Sequence, residues 1–176
     1  PVNLDPISNI AGQRLIEVGT TYWSAPNFGS NDVGFNGRGA GSRLEFTGLF
    51  SGIMGVLYLW NSRNGSTIDG GAGKISYDQP RFYVDIISVM DKKRGASIRL
   101  IKDSTTLTHG QSGTYTGNDG KVYRTICIGT QEWLADNLAE TKYRDGSTIP
   151  VVTDNAAWAA LATGARCVYG NDENNR

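Results

Sequence analysis

The sequence has one histidine, two cysteines and five prolines among 176 residues, and neither sign of charge is in excess, with 17 Lys and Arg against 17 Asp and Glu. Each shortage excludes something. His109 has no second histidine to help it hold a metal, and it lies in a polar stretch, so the usual Ser/His/Asp, Cys/His and multi-histidine constellations cannot be assembled. Without a basic surplus the chain lacks the pull toward phosphate that nucleic-acid binding needs. No apolar run approaches the ~20 residues of a membrane helix; the longest candidate, residues 53–60, suffices only for a strand. No charged leader with an apolar stretch and cleavage site opens the chain, so a secretion signal is read as removed or never present. The glycines of residues 37–41 have no following Lys-Ser/Thr and no strand-to-helix setting, so they are turns rather than a phosphate loop.

What is abundant points elsewhere. Gly contributes 23 residues, charged residues only 19%, and the aromatic set of four Trp, eight Tyr and five Phe is ample for a core. This composition predicts many turns and short strands rather than long surface helices. Residues 20–41 form a Gly/Asn/Ser-rich excursion carrying Tyr22, Trp23, Phe28 and Phe35, expected to fold back on the core. Residues 53–60 alternate as a strand, residues 64–73 read as a turn region, and residues 81–89 and 97–101 read as two antiparallel strands around a basic turn. The Ser/Thr/Gly-rich run at 103–118 reads as a connector. The organisation expected is therefore 1–104, a linker at 105–117, and 118–176. In the last piece Asn118-Asp119-Gly120 signals a turn into a strand at 121–128, Thr153 or Asp154 caps a short helix stopped by Gly164, and residues 165–169 read as a strand.

With catalytic constellations missing, the candidate site is a binding surface. Tyr58, Trp60, Asn61, Ser62 and Arg63 stand at a strand end, with Arg81, Tyr83, Asp85 and Arg99 on neighbouring strands. Flat rings beside amides and charges stack on sugars or anchor a protein partner; the same rings also serve a core, with the charges solvated. No cofactor is expected. The oxygens of Asn171, Asp172, Glu173 and Asn174 suit Ca²⁺, but they lack the spacing of a twelve-residue calcium loop. Cys127 and Cys167 permit one disulfide or two buried free thiols, and lie too far apart, without histidines, for structural zinc.

Several segments resemble one family, the Fibrobacter succinogenes major paralogous domain, a secreted or surface module of bacteria and their phages. Asp119-Gly120-Lys121-Val122-Tyr123, then Ile128-Gly129-Thr130-Gln131-Glu132-Trp133-Leu134-Ala135-Asp136-Asn137-Leu138, then Tyr143-Arg144-Asp145-Gly146 and Gly164-Ala165-Arg166-Cys167 are similar to its amino-terminal half. Ala11-Gly12-Gln13-Arg14-Leu15, Gly19-Thr20-Thr21-Tyr22-Trp23, Trp60-Asn61-Ser62 and Ser97-Ile98-Arg99-Leu100-Ile101 are similar to its carboxy-terminal half. The halves stand in reversed order without the central part between them. The resemblance implies a C-type-lectin-like fold, a mixed α+β scaffold that is strand-rich with long Gly-rich loops and one or two short helices, together with an extracellular, cell-surface or virion location and a non-enzymatic structural or adhesive role. It also implies self-assembly in which each half completes a neighbour, up to filaments, or alternatively glycan or receptor binding by Tyr58, Trp60, Asn61, Arg63, Tyr83, Asp85 and Arg99. The expected partners are copies of itself and surface glycans, with no nucleic acid and no membrane insertion. The family pattern has a cysteine where Leu100 stands, so the resemblance leaves Cys127 and Cys167 as the disulfide pair.

Overall fold

The computed structural model describes residues 10–175, with the side chains of residues 85–89 outside that description. It is a mostly-β α+β fold with two sheets and few short helices. A short helix α1 (Ala11–Leu15) precedes β1 (Ala40–Arg43), β2 (Phe50–Ile53), β3 (Val56–Asn64), β4 (Asp69–Ser76) and β5 (Gln79–Asp91). These five strands form one sheet in the order β2-β1-β3-β4-β5. The strands β6 (Ile101–Lys102), β7 (Ser112–Thr116), β8 (Val122–Ile128) and β9 (Gln131–Leu134) form a second, ordered β6-β9-β8-β7. A helix α2 (Asn155–Ala159) and two short 3-10 turns complete the chain. Among the described residues no helix is long and apolar enough to cross a membrane.

The core shows which local patterns prevailed. Leu57 and Leu59 alternate inward on β3, and Ile75 pairs with both Leu57 and Phe82, so one face of three strands is apolar. The aromatic excursion does fold back: Trp23, Val33 and Phe35 are buried beside Ile16, Leu57, Leu59 and Ile75, and the Trp23 ring N–H donates to the Gly37 carbonyl at 2.8 Å. At its surface Tyr22 and Phe28 stay exposed. The Asp154 side chain caps α2 by accepting the Ala157 N–H at 2.8 Å, as its position predicts.

Four local expectations give way to tertiary context. Residues 53–60 are not one strand, because Met54 turns at φ 58° and separates β2 from β3. The glycine-rich run at 69–76 is a central strand rather than a turn. Its glycines lie under rings: a Cβ on Gly73 would meet Phe82 at 2.5 Å and one on Gly70 would meet Trp60 at 3.0 Å. Residues 97–101 do not pair with β5; Ser97 bridges Leu59, and Ile101 pairs with Trp133. Residues 165–169 contribute one bridge, Val151 to Arg166, instead of a strand.

The connector is structured as well. Its residues 112–116 are β7, paired in full with β8 around the Asn118-Asp119-Gly120 turn. Nor do the stretches before and after it stand apart. β6 from the first joins β9 from the second, and Ile128 and Trp133 pack on the main core, with Trp133 edge-on to Phe35 at 5.9 Å. The stretches before and after the connector thus pack on each other within one chain.

Two buried arginines fasten this arrangement. Arg43 on β1 is 1% exposed and lies between the rings of Phe50 and Trp158, at 4.8 and 4.4 Å. It donates to the carbonyls of Gly48, Val152, Thr153 and Asp154 and to Asn155 Oδ1. Arg99 donates to the carbonyls of Phe35, Asn36 and Leu134 and to Asn137 Oδ1, with its guanidinium 4.5 Å from the Phe35 ring centre. Each joins segments distant in sequence through their backbone carbonyls.

Candidate functional site: a pocket at a bulge in β3

The pocket arises from a mismatch in strand length. Trp60 pairs with Ala72 and Asn64 with Gly70, so β3 places Asn61, Ser62 and Arg63 opposite Gly71 alone. Three residues against one cannot stay in the ladder, and the excess is pushed outward as a bulge. The Asn61 side chain steadies it, its Oδ1 accepting the Arg63 N–H at 2.9 Å. The bulge, Trp60, Asn64, Gly70 and Lys92 line an open, shallow pocket of about 300 Å³.

The missing side chain at Gly70 lets the Trp60 ring lie against β4, close enough that any Cβ there would crowd it. Lys92 follows β5 directly and reaches across the β3–β4 hairpin. Its ammonium donates to Asn64 Oδ1 at 2.9 Å and to the Ser66 carbonyl at 2.6 Å, while its backbone N–H donates to the Ile68 carbonyl. The chemistry assembled is an aromatic face, two amides, a hydroxyl and two cations.

The outer face of the sheet continues the aromatic surface. Tyr58, Lys74 and Tyr83 are paired across β3, β4 and β5 and so share a face, the two tyrosines two strand spacings apart, roughly 10 Å. Tyr58 and Tyr83 are half-buried. The Arg94 guanidinium stands 5.1 Å from the Tyr58 ring centre and is held by Glu45 at 3.1 Å.

Of the residues expected from sequence, Trp60, Asn61 and Arg63 line the pocket, and Tyr58 and Tyr83 lie on the sheet face beside it. Asp85 belongs to β5, but its side chain lies outside the described residues. Arg99 is a correction. It is buried at 7% exposure with its donors committed to the fold, because residues 97–101 run beneath the loop at 35–36 rather than along the sheet surface. Burial also pulls its guanidinium down to about 9, Asp136 partly opposing, which leaves it a cation at neutral pH.

The disulfide is a second correction: both cysteines are free. Cys127 is buried in β8, its thiol donating to the Leu107 carbonyl at 3.4 Å, whereas Cys167 packs by Gly95 near Arg43. Burial pushes the Cys167 thiol up, with Arg43 acting in the opposite direction. At the Asn171–Asn174 cluster, Asp172 Oδ1 accepts the backbone and side-chain N–H groups of Asn174. Among the described residues no group of three or more His, Cys, Asp or Glu is arranged to hold a metal ion.

Asn64, Gly70 and Lys92 complete the pocket and were hidden in stretches that read as turns. One signal was available, the basic run 92–94 directly after an alternating strand, yet its position against the hairpin depends on the Asp69–Asp91 register. No family model, curated protein or solved structure matches the chain.

Proposed function

We propose that this chain is a non-enzymatic recognition module of C-type-lectin-like architecture, acting outside the cell, at a cell surface or on a virion, and that it binds a saccharide in the Trp60 pocket. The observation that carries this reading is the ring of Trp60 set beside the amides of Asn61 and Asn64 in one small cavity. A ring supplies a flat apolar face for the C–H side of a sugar, and amides pair with its hydroxyls. A non-catalytic role is supported by the lining, which contains no carboxylate pair of the kind glycoside hydrolysis uses. The displaced carboxylates among the described residues, Glu132, Asp136 and Asp145, all move downward, opposite to a general acid. The order of family-like segments supports the lectin-like architecture.

On a glycan array the protein is expected to bind a restricted set of saccharides, with Trp60→Ala losing about tenfold or more in affinity and Trp60→Phe losing less. Uniformly flat binding removes the reading.

A second reading, adhesive self-assembly, is favoured by a separate feature. β2 is an edge strand, and Phe46, Leu49 and Ile53 at and beside it are 78%, 53% and 46% exposed. An apolar edge with open backbone groups suits strand addition by another copy. Light scattering at micromolar concentration is expected to detect association that Ile53→Lys abolishes; a monomer at those concentrations rules this out.

A further inference from the structure

The charge of the pocket narrows the ligand. We infer that the Trp60 pocket selects an acidic saccharide, a sugar carrying a carboxylate or a sulfate ester, with Lys92 as the anion anchor. The inference rests on the saccharide-binding reading and adds its substrate class.

Lys92 brings a positive charge to a cavity with no acidic residue among its described lining. The hydrogen-bond acceptors of Lys92, Asn64 Oδ1 and the Ser66 carbonyl, are neutral, so they orient the ammonium without cancelling its charge. They occupy two of its three N–H groups. Two acids at the strand ends that flank the hairpin, Asp69 of β4 and Asp91 of β5, are turned to local work. Asp69 Oδ2 accepts the Ser66 hydroxyl at 3.2 Å, and Asp91 Oδ1 accepts the Lys93 N–H at 2.8 Å. A flexible lysine fixed by two neutral acceptors at the rim of an aromatic pocket is preorganised for an anion, since its ordering has already occurred before the ligand arrives.

Size and geometry agree. A volume of about 300 Å³ lies at the small end of ligand pockets, the scale of a sugar residue or two rather than an extended chain. Trp60 covers Gly70, Lys92 bridges the hairpin, and both line the same cavity. A sugar that stacks on Trp60 with an exocyclic anionic group in reach of the ammonium would use both. A neutral sugar could stack equally well but would leave that charge without a partner.

The test uses the full chain with three probes at low salt: a galacturonate trimer, its methyl ester, and a sulfated neutral trisaccharide, each titrated by calorimetry. At least one acidic probe is expected to bind tenfold or more tightly than the ester, as one charge-assisted hydrogen bond corresponds to about that factor. Which acidic probe does so identifies the anion. The preference should shrink in 0.5 M salt. Lys92→Gln, which keeps a donor for the hairpin but not the charge, should bring the acid and ester affinities together; Lys92→Arg should retain the preference. Equal affinity for acid and ester, or a preference that survives in Lys92→Gln, overturns the acidic specificity and leaves saccharide binding standing. Absence of binding by all three, together with a flat array, overturns both.

Discussion

Replacing Arg43 by alanine is expected to destabilise the protein by about 3–5 kcal/mol, the scale measured when one partner of a buried charged network is removed. The side chain serves five acceptors, in Gly48 and in Val152, Thr153, Asp154 and Asn155, and fills the space between Phe50 and Trp158. Without it, the Gly48 and Val152 carbonyls lose this donor, Thr153 and Asp154 keep only Asn171 and the Trp158 N–H, and the two rings lose the plane between them. Backbone adjustment offers little relief. Gly48 sits at φ +67°, and a Cβ there would lie 2.2 Å from the Asn155 carbonyl oxygen, so the β1–β2 turn and the start of α2 already touch. Domains are stable by only ~5–15 kcal/mol, so urea unfolding should shift strongly. Because Trp158 is buried against this site, its fluorescence should change in the same transition. Arg43→Met, which keeps bulk but no donors, should lose a smaller part. A loss under about 1 kcal/mol for the alanine variant would mean that the segment at 152–155 is held by other contacts.

Arg99→Ala is expected to fall in the same range, for a related reason on the opposite side of the main core. Its guanidinium satisfies the carbonyls of Phe35, Asn36 and Leu134 and stacks on Phe35, which itself meets Trp133. Lysine should not rescue it, since a single ammonium cannot match a planar fork directed at four acceptors. This variant also separates two roles for the residue. A ligand contact would change saccharide affinity and leave the unfolding midpoint in place. The buried geometry predicts the reverse at 25 °C: a large loss of stability, with affinity in the folded fraction close to normal.

Both arginines bear on the site through the body that carries it. β3 is held in the sheet by β1 and β4, and the Trp60 N–H donates to the Ser97 carbonyl at 3.0 Å, two residues before Arg99. The segment that Arg99 fastens is therefore the one that supports the strand end where the bulge begins. In the second sheet, Arg124 and Asp136 pair at 2.5 Å. Their hydrogen bond raises the arginine, and for Asp136 the contacts from Arg124 outweigh the desolvation that acts the other way.

Parts of the site were legible because they depend on neighbours in sequence. The alternation around Tyr58 and Trp60, and the polar residues directly after them, mark a strand end with an aromatic face. Lys92 was not legible, since its place at the pocket depends on how β4 and β5 pair. Arg99 misled for the same reason. Its alternation with Ile98 and Leu100 resembles an exposed strand position, but these residues neighbour β3 and β9 without forming a strand face of their own. β4 was hidden by its composition, because its three glycines read as turn until the rings of Trp60 and Phe82 are known to cover Gly70 and Gly73.

By itself, the amino-acid sequence determined a strand-rich chain, an aromatic loop that returns to the core, the capped helix near Asp154 and the hairpin turn at Asn118-Asp119-Gly120. Alternation, capping and turn preference act over a few residues and need no knowledge of the rest. The tertiary structure alone decided that the stretches before and after the connector join through β6 and β9, that the cysteines stay apart, and that Arg43 and Arg99 are internal ties. Those outcomes depend on which distant carbonyls and rings are brought together, and that is set by the pairing of strands across the whole chain.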